Sequence, residues 1–200
     1  MAYTVTSDVK AFGGFTDSDT TDDVLIGKII PMAQTMIDTY TNRTFECSST
    51  TEATRTYDAN LDVEDETLWL DKELNTINSI KVEGTAIDSD GYVTSPRTDK
   101  PYYAITILDS AGDSDDWSYD TDAENAIVVD GHWGYSSAAP SDIKWACERL
   151  TLWLYKQRNS DVDLDRPLLT GQGITIMPTT IPADVARILA VYRRRDIGSA

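Results

Sequence analysis

The hydrophobic period of this chain changes twice, and that limits the folds open to it. Leu25, Ile29, Met32, Ala33, Met36, Ile37 and Tyr40 recur at the three- and four-residue spacing of an amphipathic helix. From Arg55 to Val129 the pattern shortens to runs of β-branched and aromatic residues: TLWLD (67–71), INSIKVEG (77–84), TAID (85–88), YYAITILD (102–109) and NAIVVDG (125–131). Asp, Gly, Ser and Pro separate them, as strand-and-turn chemistry requires. Helical spacing then returns in Ile143, Ala146, Cys147, Leu150, Trp153 and Leu154, and again in Val185, Ile188, Leu189 and Tyr192. A helix-period pattern does not settle as a strand, nor the reverse. The sequence therefore predicts an α+β fold: a small helical bundle (helices about 22–41, 141–158 and 182–195) with an inserted antiparallel β-subdomain at about 55–130. Residues 1–200 read as one domain, in which 159–200 form a C-terminal strand and helix arm.

Local signals refine this outline. Ser7 or Asp8 is expected to cap a short first helix that Gly13-Gly14 ends, and Asn42 to close the long helix in the left-handed conformation. Pro31 removes one ladder bond and is expected to kink or divide that helix. Asp90-Gly91 reads as a tight turn between strands. Ser141 or Asp142 is expected to cap the next long helix. GITIM (173–177) reads as a strand, and Pro182 stands in the first turn of the last helix.

The net charge of −17 is uneven. Residues 57–124 hold eighteen acids against four bases, whereas residues 141–200 hold seven against nine. Such an acidic surface repels phosphate, which argues against a protein that grips DNA. It suits solubility, or a surface that DNA must pass without sticking. The polar start MAYTVTSDVKAFGG lacks the positive and apolar regions of an export signal, and no apolar run approaches the roughly 20 residues that span a bilayer. Cys47 and Cys147 lie in no CxxC pattern and are expected to be buried free thiols.

Chemistry finds little purchase. His132 is the one histidine and stands between two glycines, beside Trp133. A lone histidine cannot build a His-rich zinc site, and no Ser or Cys lies in a nucleophile-elbow pattern. A structural turn or interface role is favoured, with Gly131 and Gly134 supplying backbone freedom and Trp133 and Tyr135 packing the turn on the next helix. The acidic run DSAGDSDDWSYDTDAE (109–124) has the wrong spacing for an EF-hand loop, so a solvated loop is the default. GQGI (171–174) is only a fragment of a phosphate-binding loop. No cofactor, metal or catalytic residue is expected. The competing reading is a small acidic protein, metal-binding or hydrolytic.

The order of the segments resembles the head–tail connector (adaptor) proteins of tailed bacteriophages. LIGKIIPMAQTMIDTYTNRTFE is similar to that family's opening helix, with Ala33, Ile37, Asp38, Tyr40, Arg43 and Phe45 in the matching places. RTYD (55–58) and LWLDKELNTINSIKVEG (68–84) resemble the strands that follow. Gly131, Trp133, Gly134, Tyr135, Pro140, Ile143, Lys144 and Ala146 match the family's most distinctive segment, a glycine-tryptophan-glycine turn, a proline and a helix. IPADVARILAVYRR resembles the closing helix.

The resemblance covers most of residues 20–195. It implies a non-enzymatic virion protein of the head–tail neck, assembled in the host cytoplasm into a homo-oligomeric ring of twelve subunits. The implied ring lies beneath the portal and above a stopper, tail terminator or tail tube protein. It extends the DNA channel without binding DNA specifically. On this reading Tyr192, Arg193, Arg194 and Arg195 are expected at a partner interface. Asp113, Asp115 and Asp116 are expected on the channel or its rim, and Gly131, Trp133 and Gly134 form a structural turn.

Overall fold

A computed structural model of the chain describes residues 2–16, 18–47, 53–108, 116–158, 168–169, 175–176 and 181–194. The chain divides into two compact units, one of residues 44–138 and one of residues 2–43 with 139–200. The fold is α+β, with the helices in one unit and the main sheet in the other.

The helical unit contains α1 (Thr6–Gly13), α2 (Asp23–Thr41), α3 (Ser141–Arg158) and α4 (Ala183–Tyr192). These ranges fall close to the expected ones. α3 packs against each of the other three helices. Its core joins Val9, Ile26, Ile29, Ile30, Leu152 and Tyr155, and Ala33, Ile37, Ile143, Ala146, Cys147, Leu150, Val185 and Leu189 are also buried. The inward stripe of α2 is rotated from the expected one: Ile26 and Ile30 face in, while Met32 is 58 % exposed.

Pro31 neither divides nor ends α2, which runs continuously through it. The missing N–H costs one ladder bond, to the carbonyl of residue 27. Asn42 closes α2 at φ 52°, as expected, and Gly14 closes α1 at φ 72°. Neither Ser7 nor Asp8 caps α1. The helix starts earlier, with Val5 at the cap position and no side-chain bond there. Asp8 instead pairs with Lys144 at 2.6 Å. α3 begins at Ser141 itself, and Asp142 Oδ1 accepts from the Ile143 amide at 3.0 Å.

The sheet unit contains β1 (Ala53–Tyr57), β2 (Val63–Glu64), β3 (Thr67–Val82), β4 (Thr85–Ala86), β5 (Tyr92–Ser95), β6 (Tyr102–Ile107), a 3-10 turn (Ala123–Asn125) and β7 (Ile127–Trp133). The pairings between its described strands are antiparallel, in the order β1-β7-β3-β6-β5, with β2 and β4 each folded back on β3. The runs TLWLD and INSIKVEG are one sixteen-residue strand, β3, rather than two. Its first half pairs with β6 and its second half with β7, and register shifts near Leu74 and Ser79 turn the strand between them. Alternate residues such as Leu68, Leu70, Ile80, Val82, Ile105, Ile107, Ile127 and Val129 fill one face, the period-two burial of a half-covered sheet. Asp88 O accepts from the Gly91 amide at 3.0 Å, placing the expected turn directly before β5. A separate pair, β8 (Leu168–Leu169) with β9 (Thr175–Ile176), contains part of the expected strand at 173–177.

Candidate functional site

The glycine-tryptophan-glycine segment lies at the end of β7 rather than on a free turn. His132 is a strand residue in register with Thr76, and Gly131 is in register with Ile77. A Cβ on Gly131 would stand 2.2 Å from Thr76 O and 2.8 Å from Leu74 Cδ1, so only glycine lets β7 approach β3 there. Gly134 has φ 148°, and an added Cβ would meet Cys47 N at 3.0 Å. Its amide donates to Glu73 O at 2.8 Å, and the Tyr135 amide donates to Thr44 O at 2.8 Å. Ser136 Oγ donates to Phe45 O at 2.8 Å, and the Tyr135 ring tilts against Phe45 at 5.6 Å. The segment thus fixes residues 44–47 beside the end of β7.

Trp133 and Tyr135 were expected against the next helix, but Trp133 belongs to the sheet. Its Nε1 donates to Ala53 O at 2.6 Å, and the Arg55 guanidinium lies 4.8 Å over its ring. Arg55 also reaches Asp71 at 2.6 Å, and Tyr57 Oη donates to the same carboxylate at 2.8 Å. Burial, with Asp71 beside it, pushes the Tyr57 phenol well above its ordinary range. These side chains tie edge strand β1 to the first half of β3.

At the other predicted sites, Tyr192 Oη donates to Asp142 Oδ2 at 2.7 Å, joining the end of α4 to the start of α3. The expected helix to residue 195 stops at Tyr192. Arg193 is extended and exposed, and the Arg194 amide donates to Thr41 O at 2.8 Å, a bond that leads the chain off the helix axis. Arg195, Asp113 and Asp115 lie outside the described residues. Asp116 is exposed and its Oδ1 accepts from the Ser118 amide at 2.9 Å, a turn contact.

Both cysteines are free and buried, as expected. Burial pushes the Cys147 thiol up to about 12, which suits a core group and not a nucleophile. Among the described residues, no group of three or more His, Cys, Asp and Glu is placed to hold a metal ion. No helix among them is long and apolar enough to cross a membrane.

Sequence reasoning missed one feature. An open cleft of about 420 Å³ lies over β5 and the start of β6, lined by Thr76, Tyr92, Thr94, Arg97, Lys100 and Tyr102 among others. Burial, with Tyr102 near, pushes the Tyr92 phenol up. The available signal was SPRTDKP (95–101), which places two bases and two prolines inside an acidic stretch.

A family model described as head completion protein matches residues 3–195. The chain belongs to the head completion protein family. Membership places it among the structural virion proteins of the head–tail neck, the class that its helix, strand and glycine-tryptophan-glycine segments resemble. No curated protein sequence matches it. Its fold is similar to that of a chain in a solved structure titled the neck of an empty GTA particle computed with C6 symmetry. The TM-score is 0.57 at 13 % identity, over 98 % of this chain and 93 % of that one.

Proposed function

We propose that this head completion protein forms a closed homo-oligomeric ring that joins the portal to the tail and extends the DNA channel. The observation that carries this reading is the family match over residues 3–195. The fold likeness to a neck chain over almost the whole length supports it. The C6 symmetry of that neck accords with a ring of six or of twelve subunits, and twelve is the number we propose. A channel extension needs closure, which heterologous contacts between identical subunits provide.

In this ring Tyr192, Arg193, Arg194 and Arg195 lie towards an acidic surface of the portal or a neighbouring subunit. Asp113, Asp115 and Asp116 line the channel or its rim and keep the DNA polyanion from sticking. The far side of the ring meets a stopper, tail terminator or tail tube protein. Electron microscopy of intact particles tests the reading. The expected result is density for this chain around the channel axis between head and tail. Density on the capsid surface or at the tail tip would refute it. Within such particles, Asp113→Lys with Asp115→Lys and Asp116→Lys should slow DNA ejection without blocking assembly, and unchanged ejection removes the acidic run from the channel wall.

A further inference from the structure

The sheet unit carries two oppositely charged features that fit one another on separate copies. The first is the cleft over β5 and β6. Residues 57–124 hold eighteen acids and four bases, yet two of those four bases, Arg97 and Lys100, line this cleft and, among the described residues, no acid does. Both side chains are exposed, and Lys100 Nζ donates to Thr76 Oγ1 at 3.4 Å. The hydroxyls of Thr94, Tyr92 and Tyr102 add further hydrogen-bonding groups along it.

The second feature is the tip of the β2–β3 hairpin. Glu64, Asp65 and Glu66 are consecutive and exposed, and Leu61 beside them is 84 % exposed. Asp65 and Glu66 hold φ 45° and 63°, a two-residue turn of the kind that normally takes Asn-Gly. A glutamate there is conformationally unfavourable, and such positions cluster where a side chain has work outside its own fold. The tip is held firmly: Glu66 O accepts from Trp117 Nε1 at 2.8 Å and from the Ile107 amide at 3.2 Å. Its carboxylates therefore project on a braced backbone.

We propose that the acidic hairpin tip of one copy docks in the Arg97–Lys100 cleft of the next. Head-to-tail contact brings two different patches of the same chain together, so complementary charge on one chain serves to set ring register. This inference rests on the ring reading but adds the contact that forms it.

The test is a charge swap in the full chain, followed by sedimentation at rising concentration. Four chains are compared: the native one, Arg97→Glu with Lys100→Glu, Glu64→Lys with Glu66→Lys, and all four substitutions combined. Circular dichroism establishes that each is folded. Each single reversal should weaken self-association about tenfold or more, with less effect at high salt, and the combined chain should recover it. Equal association of all four chains, or no recovery in the combined chain, overturns the inference, as does no association in any of them up to about 1 mM. The two readings separate cleanly. Rings in all four chains keep the ring and remove this contact. Swap-dependent association into open or two-membered species keeps the contact and removes the closed ring.

Discussion

Residues 44–138 hold twenty-one acids and five bases, whereas residues 2–43 and 139–200 together hold thirteen and twelve. The sheet unit thus carries nearly all of the net charge, and the helical unit is close to neutral. The two also use their charges differently. The helical unit pairs them: Lys10 with Asp23 at 3.0 Å, Lys144 with Asp8 at 2.6 Å, Arg149 with Asp184 at 3.0 Å. The sheet unit pairs Arg55 with Asp71 at 2.6 Å but has too few cations to pair its other acids, and many of these accept from backbone amides instead. Asp58 Oδ1 accepts from Asn60 and Leu61, Glu83 Oε1 from Asp120 and Thr121, and Asp122 Oδ1 from Glu124. Turns need acceptors of this kind, so a loop-rich sheet can absorb acids locally that a helical bundle would have to neutralise.

The comparison breaks most sharply at Gly131. Valine there would drive a Cβ into Thr76 O, a backbone atom that cannot yield without opening the β3–β7 ladder. We expect Gly131→Val to cost about 3 kcal/mol or more, measured as the loss of urea midpoint or as insoluble chain. A helical glycine gives the contrast. A Cβ on Gly27 would have Thr6 Oγ1 at 3.9 Å as its neighbour, so Gly27→Ala should be tolerated and can raise stability by up to about 1 kcal/mol. Equal losses at the two positions would show that backbone approach does not distinguish the units.

A smaller effect is expected at the side chains that staple each unit. Tyr155 Oη donates to Asp22 Oδ2 at 2.5 Å in the helical unit, a bond to a charged acceptor. Tyr155→Phe should cost about 2 kcal/mol. Trp133→Phe loses the bond from Nε1 to Ala53 O, an uncharged acceptor on an edge strand, and should cost about 1 kcal/mol. Hydrogen exchange places the two losses: the first should open amides of 23–41 and 141–158, the second those of 53–57. The reverse ranking would mean that charge on the acceptor does not set the strength of these staples.

How much of this was legible in the sequence follows from how local each cause is. The helix ranges were readable because apolar spacing is a local pattern, and Asn42 was readable as a cap because its own backbone preference decides it. The end of α4 was not, because three arginines favour continuing a helix, while the Arg194 amide bonds Thr41 O, a partner distant in sequence. β3 read as two runs because Asp71-Lys72-Glu73 looks like a break. In the fold Asp71 and Lys72 are exposed, while Glu73 lends its carbonyl to Gly134. β5 was missed because YVTS carries no clear alternation. Gly131, Trp133 and Gly134 were identified as a structural segment, but their partners Thr76, Ala53 and Cys47 are distant in sequence, so their strand setting could not be read. The Arg97–Lys100 cleft depends on bringing 76, 92 and 102 together, which only the sheet order does.

The smallest expected effect bears most directly on the charge contrast. Excess acids in the sheet unit repel one another in the folded state, and unfolding spreads them apart. Salt screens that repulsion: the Debye length falls from about 10 Å at 0.1 M to about 3 Å at 1 M. The sheet unit should therefore gain stability with salt. The helical unit should gain less, because salt there screens attraction between its ion pairs as well as repulsion. Most of these pairs are partly exposed, and such pairs contribute about 0–1 kcal/mol. The difference should amount to a few tenths of a kcal/mol. Total melting cannot resolve it, since salt also strengthens apolar burial in both units. Hydrogen exchange at the two salt concentrations can, because that shared contribution cancels in the difference. Protection should rise with salt across 67–82 and 127–133 by more than it does across 23–41 and 141–158. An equal rise in both sets would mean that the backbone-accepting acids of the sheet unit are already well satisfied, and that its net charge costs the fold nothing measurable.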